Sequence, residues 1–138
     1  MGVFKSEIQL QNPVHPELRT LRVSALVDTG AMHLCLPEHI ALQLALSELE
    51  KREVTLADGR KLLVPYMGPL LVSFETRRCF VGAMILGTEP LLGAIPMEDM
   101  DLIVDPRLRR LIINPDNPNF AGAIVKTAIL PKAYSSVN

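Results

Sequence analysis

A carboxylate closes the second apolar run of this chain. Val23, Ala25 and Val27 alternate with Arg22, Ser24 and Leu26, the period of a strand with at least one buried face, and the run stops at Asp28-Thr29-Gly30-Ala31. Asp is depleted in strands, and its ionised form is costly to bury without partners. The chain therefore has to turn at Asp28, with the carboxylate either capping the turn or held there for chemistry. Thr29 adds a hydroxyl that both donates and accepts, and Gly30 supplies backbone able to pass close to another chain or a substrate. Asp-Thr-Gly alone is a weak signal, because with Gly at about 7% of average composition it arises by chance in roughly a few per cent of chains this long.

The surrounding pattern is one of short strands. Residues 3–11 alternate, with Phe4, Ser6, Ile8 and Leu10 on one face, and two prolines in 12–16 end the run. Residues 18–27 return as the second strand, and 33–37 read as a short buried one. Pro37 then suits the first turn of a short apolar helix over 38–46. Residues 53–67 alternate on both sides of Ala57-Asp58-Gly59-Arg60, and Asp-Gly between alternating runs is the strongest short hairpin signal. A second hairpin is expected over 69–86 around a charged Thr76-Arg77-Arg78 turn. Leu91-Leu92-Gly93 ends that strand region. A short helix over 95–100 and a last hairpin around Asp105-Pro106 follow. Residues 114–119 are a loop by composition, 123–126 a terminal strand and 135–138 a frayed end. The expected class is all-β, with barrel-like closure and one or two short helices.

Composition narrows the partners. The chain has 138 residues, 49% of them hydrophobic, with 14 basic and 15 acidic side chains, so one domain with a real core is expected. The basic residues are scattered, which argues against a nucleic-acid partner, and no apolar run approaches the length of a bilayer span. No secretory leader pattern is present, and Cys35 and Cys79 lie in apolar runs as buried thiols, so the expected compartment is the cytoplasm. Gly2 with Ser6 matches the myristoylation pattern formally and reads as a glycine before the first strand.

Three elements stand in order: Leu26-Val27-Asp28-Thr29-Gly30-Ala31, the Asp58-Gly59 hairpin, and Leu91-Leu92-Gly93 before a short helix. This arrangement resembles the retropepsin-like aspartic proteases, most closely the small single-domain prokaryotic members. The resemblance spans roughly residues 3–113, so residues 1–113 are expected to form the protease domain and 114–138 a C-terminal extension, with its terminal strand at a dimer interface. It implies an acid-protease fold in which Asp28 is the catalytic aspartate. Thr29 would join a hydrogen-bonded grip beneath the site, Gly30 would let the backbone approach Asp28 and substrate, and Ala31 would complete the supporting turn. The hairpin over 54–67 would be a flap with Leu56, Ala57, Asp58, Gly59 and Arg60 at its tip, and Leu91, Leu92 and Gly93 would pack behind the catalytic turn. Many viral members carry Asp directly after Asp-Thr-Gly-Ala and Arg directly after the later Gly. Here these positions hold Met32 and Ala94, expected to replace an ion pair by an apolar contact.

Metal-free peptide hydrolysis needs a base to activate water and an acid to protonate the carbonyl oxygen and then the leaving amine. Two close carboxylates sharing one proton do both. The chain has one Asp-Thr-Gly; Asp58 sits at a hairpin tip, and Asp99, Asp101 and Asp105 read as caps and turn formers. The second aspartate is therefore expected from a second copy, in a C2 homodimer that hydrolyses peptides or proteins without a cofactor. Apolar positions such as Leu26, Val54, Leu56 and Ile85 suggest apolar side chains flanking the scissile bond. Two readings compete: a catalytically silent module keeping the fold for dimerisation or peptide binding, and a metal site from His33, Cys35 and His39. The latter is disfavoured because His39 lies across Pro37 and no fourth ligand is evident, so the expected metal count is none.

Overall fold

Ile8 and Leu10 are fully buried while Lys5, Glu7 and Gln9 face outward or flank them, so the alternation of the first run becomes a half-buried strand. The computed structural model describes residues 3–127 and 129–131. Within them the chain forms strand β1 (Phe4–Gln11), β2 (Leu21–Val27), β3 (Leu34–Leu36), helix α1 (Glu38–Gln43), β4 (Ser47–Thr55) and β5 (Lys61–Phe74). It continues through β6 (Arg77–Ile85), β7 (Leu91–Leu92), helix α2 (Ala94–Asp99), β8 (Leu102–Asp105) and β9 (Arg110–Ile113). The protein is thus mostly β with two short helices, in line with the expected class.

The main sheet runs in the order β1-β2-β7-β3-β6-β5-β4, and β5 pairs again with β1, Gln9 opposite Ser73 and Gln11 opposite Leu71. Six strands therefore close into a ring from which β4 and the first half of β5 project as a hairpin. Inside the ring, Ile8, Leu10, Ala25, Leu36, Leu70 and Leu92 form the centre of the core, joined by Met97 of α2 and Met100 directly after it. Each fully buried Leu or Ile contributes about 1.5–3 kcal/mol from removal of apolar surface from water. β8 and β9 form a separate two-stranded sheet that packs through Leu111 against this core.

Several boundaries differ from those read in the sequence. α1 stops at Gln43 rather than running to residue 46, because Ala45 adopts a left-handed backbone (φ 51°). The buried Asn12 amide donates to the carbonyls of Leu44 (2.8 Å) and Ala45 (3.3 Å), satisfying acceptors that another helical turn would have used. β4 begins at Ser47 rather than residue 53. Its segment Ser47–Thr55 is charged on both faces, as befits an edge strand, with Lys51 paired to Glu48 (3.2 Å) and Arg52 to Glu50 (3.1 Å). The two expected hairpins share one continuous strand, β5, whose register shifts between Met67 and Leu70. Residues 123–126 form no strand within the single chain, and Ile124 and Val125 stand exposed. Gly2 and the expected frayed end at 135–138 lie outside the described residues.

Arg77, read from the sequence as part of a charged turn, begins β6 and is 4% exposed. Its guanidinium donates to the carbonyls of Met100 (3.0 Å) and Asn117. Asp101 in turn accepts from the side-chain amides of Asn114 (3.0 Å) and Asn117 (2.8 Å) and from the Gly122 amide (2.8 Å). Residues 114–122 are therefore fastened to the body through one buried cation and one carboxylate. Hydrogen bonding from Asn114, Gly122 and Asn117 holds the Asp101 carboxyl below the ordinary carboxylate range, with the Arg77 charge adding to it.

Candidate active site

β2 delivers Asp28 and β7 fixes it. β7 lies between β2 and β3, parallel to the first with Val27 opposite Leu92, and antiparallel to the second with Cys35 opposite Leu91. The Asp28 amide donates to the Leu92 carbonyl (3.1 Å), and the Leu26 amide to that of Pro90 (2.9 Å). Beyond the turn, Ala94 and Ile95 donate back to the carbonyls of Ala31 and Met32, both at 2.8 Å. The Asp28–His33 loop is thus clamped along both edges by backbone bonds, which cannot relax through a side-chain rotation.

Gly93 makes this clamp possible. A Cβ on it would stand 2.8 Å from the His33 nitrogen and from the Met32 carbonyl carbon, and closer still to the His33 oxygen. Leu92 beside it is wholly buried and Leu91 half-buried. Met32 and Ala94 meet the loop differently from the expected apolar contact: the loop is joined here through main-chain bonds, and the Met32 side chain is 64% exposed.

Asp28 as a residue is half-buried, and its carboxylate is reached by solvent. Its Oδ1 accepts the Gly30 amide at 2.9 Å, and a Cβ at Gly30 would lie 3.2 Å from that oxygen, so any side chain there would crowd the carboxylate. Thr29 and Gly30 are exposed, and Ala31, whose amide donates to the Asp28 carbonyl (3.2 Å), is half-buried. Asp28 and Thr29 line a cavity of about 310 Å³ with Phe4, Val27, Val104 and Arg109. A single carboxylate at the rim of such a cavity can accept a proton from water, but cannot at the same moment donate one to the group being attacked.

The other expected residues sit on the projecting hairpin. The Leu56 amide donates to Arg60 (2.8 Å) and the Gly59 amide to Leu56 (2.9 Å), closing a tip in which Gly59 takes φ 89° and Ala57 and Asp58 are exposed. Asp58 accepts the Arg60 amide (3.0 Å) and its Nε (2.7 Å), and those bonds hold its carboxyl below the usual range. The tip residues are thus occupied with one another. The stem of the hairpin, by contrast, reaches the Asp28 loop. Tyr66 of β5 stands edge-on to His33 (centroids 6.1 Å apart), and Arg52 of β4 lies over its ring at 3.9 Å. Burial, with the Arg52 charge adding to it, pushes the His33 pKa down. Gly82 of β6 leaves room for the Tyr66 ring, since a Cβ there would lie 2.6 Å from its edge carbon.

Among the described residues no group of three or more His, Cys, Asp or Glu could hold a metal ion, and His39 is exposed on α1 away from the half-buried His33 and Cys35. Cys35 and Cys79 are free thiols; burial, with Asp99 adding to it, pushes Cys79 up to about 12, so that sulfur is no nucleophile. No helix among the described residues is long and apolar enough to cross a membrane. No family model matches the chain, and neither does any curated protein.

Arg109, Tyr66 and Arg52 were not singled out from the sequence. One Arg among the basic residues of 107–110, or a Tyr in a strand, carries no local pattern that separates a site residue from a surface one. Asn117, two residues before Asn119 in a Pro-rich loop, likewise reads as turn chemistry rather than as an anchor.

Proposed function

We propose that the protein is an aspartic endopeptidase of the retropepsin-like kind, working as a homodimer with one Asp28 from each subunit. The observation that supports the reading is the clamped, half-buried Asp28 at a cavity rim, its carboxylate accepting the Gly30 amide on a loop whose outer residues, Thr29 and Gly30, are exposed. In the dimer two such carboxylates share one proton, because their repulsion keeps the second from ionising. The ionised carboxylate takes a proton from water as the oxygen attacks the peptide carbonyl carbon. The protonated partner gives its proton to the carbonyl oxygen, forming a tetrahedral diol. Collapse of the diol re-forms the carbonyl and breaks the C–N bond. The carboxyl protonated in the first step passes that proton to the amine nitrogen, and a diol hydroxyl returns one to the dyad.

Each residue then has its task. Thr29 and Gly30 support the turn, and Leu91, Leu92 and Gly93 fix its backbone. The hairpin tip of Leu56, Ala57, Asp58, Gly59 and Arg60 acts as a flap over bound peptide, its stem coupled to the Asp28 loop through Tyr66 and His33. The free thiols of Cys35 and Cys79 suit a reducing, cytoplasmic setting. The test is cleavage of a mixed peptide pool at acid and neutral pH, with and without an inhibitor that mimics the tetrahedral diol. Inhibitor-sensitive cleavage that disappears in Asp28→Asn supports the reading. Cleavage that survives in purified Asp28→Asn overturns it, as does a pool left intact by the parent chain; the latter favours a peptide-binding module instead.

A further inference from the structure

Arg109 is an odd resident of the cavity beside Asp28. It lies in the turn between β8 and β9 with a left-handed backbone (φ 51°), a conformation that non-glycine residues rarely adopt. The remainder of that turn is held by Asp105, whose Oδ1 accepts the amides of Arg107 (3.2 Å) and Leu108 (3.3 Å) and whose Oδ2 pairs with Arg110 (3.6 Å). Arg109 takes no part in that arrangement. Its Nη2 instead donates to the Val3 carbonyl at 2.7 Å, which tethers the guanidinium across the start of β1 at the cavity wall. Among the described residues it forms no ion pair, either with Asp28 or with another carboxylate. A guanidinium presents five donors in a fixed fork, of which this tether uses one.

The other walls, Phe4, Val27 and Val104, are apolar. The cavity therefore offers a cation with spare, directed donors above an apolar floor, a few side chains from the candidate catalytic carboxylate. Among the described residues no second anion is bound to the guanidinium, and because Arg109 is itself exposed its pull on an entering anion rests on the directed donors of the fork. We infer that Arg109 is a specificity-determining residue that binds a carboxylate of the peptide substrate in the cavity beside Asp28. This rests on the hydrolase reading above and adds to it the substrate class: peptides with a carboxylate near the scissile bond, either an Asp or Glu side chain or the free C-terminus. Bidentate pairing suits the Arg fork in both cases. The methylenes of Asp or Glu would lie along Phe4 and Val27.

The experiment compares cleavage sites in a mixed peptide pool, identified by mass spectrometry, for the parent chain, Arg109→Lys and Arg109→Glu. The pool is used once with free C-termini and once amidated. Expected is an enrichment of Asp and Glu at one subsite, or of cleavage at a fixed distance from free C-termini that amidation removes. Arg109→Lys should retain that preference with kcat/KM for the acidic substrates lowered about tenfold, the Lys being a point charge rather than a fork. Arg109→Glu should lose it, with Lys or Arg rising at the same subsite. Cleavage without any carboxylate preference overturns the inference and leaves the hydrolase reading standing, as does a preference that persists in Arg109→Glu. A pool left uncut by the parent chain removes the hydrolase reading itself. Should Arg109→Glu fail to fold, a preference kept by Arg109→Lys and lost in Arg109→Gln decides the matter in the same way.

Discussion

Gly93→Ala probes the clamp on the Asp28 loop through a single methyl group. The added Cβ would meet the His33 nitrogen and the Met32 carbonyl carbon at 2.8 Å, and the His33 oxygen closer still, where ordinary contact begins at 3.4 Å, so these backbone atoms must give by at least about 0.6 Å. No rotamer relieves the collision, because every atom involved is main chain and is tied by the Ala94 and Ile95 bonds to Ala31 and Met32. Overpacking of this kind costs about 1–3 kcal/mol, which at an m-value of about 2 kcal/mol/M moves a urea midpoint by roughly 0.5–1.5 M. On the proposed hydrolase reading, displacement of the Asp28 loop adds to this. A misplacement near 1 Å can cost about 100-fold in rate, so a loss of roughly tenfold or more in kcat is expected from half that shift. The assay pairs urea unfolding followed by circular dichroism with peptide hydrolysis in the native buffer. Gly59→Ala is the control for backbone strain alone, because its φ is 89° but nothing lies within 4 Å of the new Cβ. A Gly93→Ala protein with the parent's midpoint and the parent's kcat would refute the clamp.

Arg77→Ala should destabilise by about 3 kcal/mol, since it leaves the carbonyls of Met100 and Asn117 and the Asp101 carboxylate without their buried cation; thermal unfolding checks it, and a Tm within a degree of the parent's would contradict it. Asp101 has a lowered folded-state pKa, so its contribution is complete above the ordinary carboxylate pKa of 3.8 and is lost as pH falls through the folded value. Urea midpoints between about pH 6 and pH 2 should therefore fall less steeply for Asp101→Asn than for the parent, and parallel curves would count against this. On the proposed reading the dyad needs one carboxyl ionised and one protonated, so kcat/KM should follow a bell in pH, and Ala31 lacks a hydroxyl that could donate to those carboxylates. Ala31→Ser should move the bell toward acid by stabilising the charged form, and an unmoved or alkaline-shifted bell would show that this hydroxyl does not set the optimum.

What the sequence disclosed follows from where its signals are local. Period-two alternation placed Ile8, Leu10, Ala25 and Val27 in the core, and Asp58-Gly59 placed the hairpin tip, because each rests on a few adjacent residues. The start of β4 at Ser47 was hidden because an edge strand needs no buried face, and Ser-Glu-Leu-Glu-Lys-Arg-Glu shows no alternation. Arg77 was misread for the complementary reason: its burial depends on carbonyls 23 and 40 residues further along the chain, which no local pattern announces. At the candidate site, Asp28 and Gly93 were visible as motifs, and their contact through the Asp28–His33 backbone gives that spacing a physical cause. Arg109 was not visible, since only the return of the β8–β9 hairpin to the start of β1 carries it into the cavity. Met32, expected against Ala94, is largely exposed, and the two segments are joined by main-chain bonds.

The central claim is that two chains build one active centre, and mixing tests it directly. Parent protein at fixed concentration is incubated with increasing Asp28→Asn protein until subunits have exchanged, and peptide hydrolysis is measured per parent chain. If each dimer needs both carboxylates, an equal amount of Asp28→Asn should reduce activity per parent chain to about half, and a ninefold excess to about a tenth, as random pairing converts active dimers into mixed ones. Subunit exchange is verified in the same samples by mass spectrometry of a mass-tagged Asp28→Asn chain. Activity per parent chain that stays constant at every excess, with mixed dimers demonstrably formed, would contradict the shared active centre.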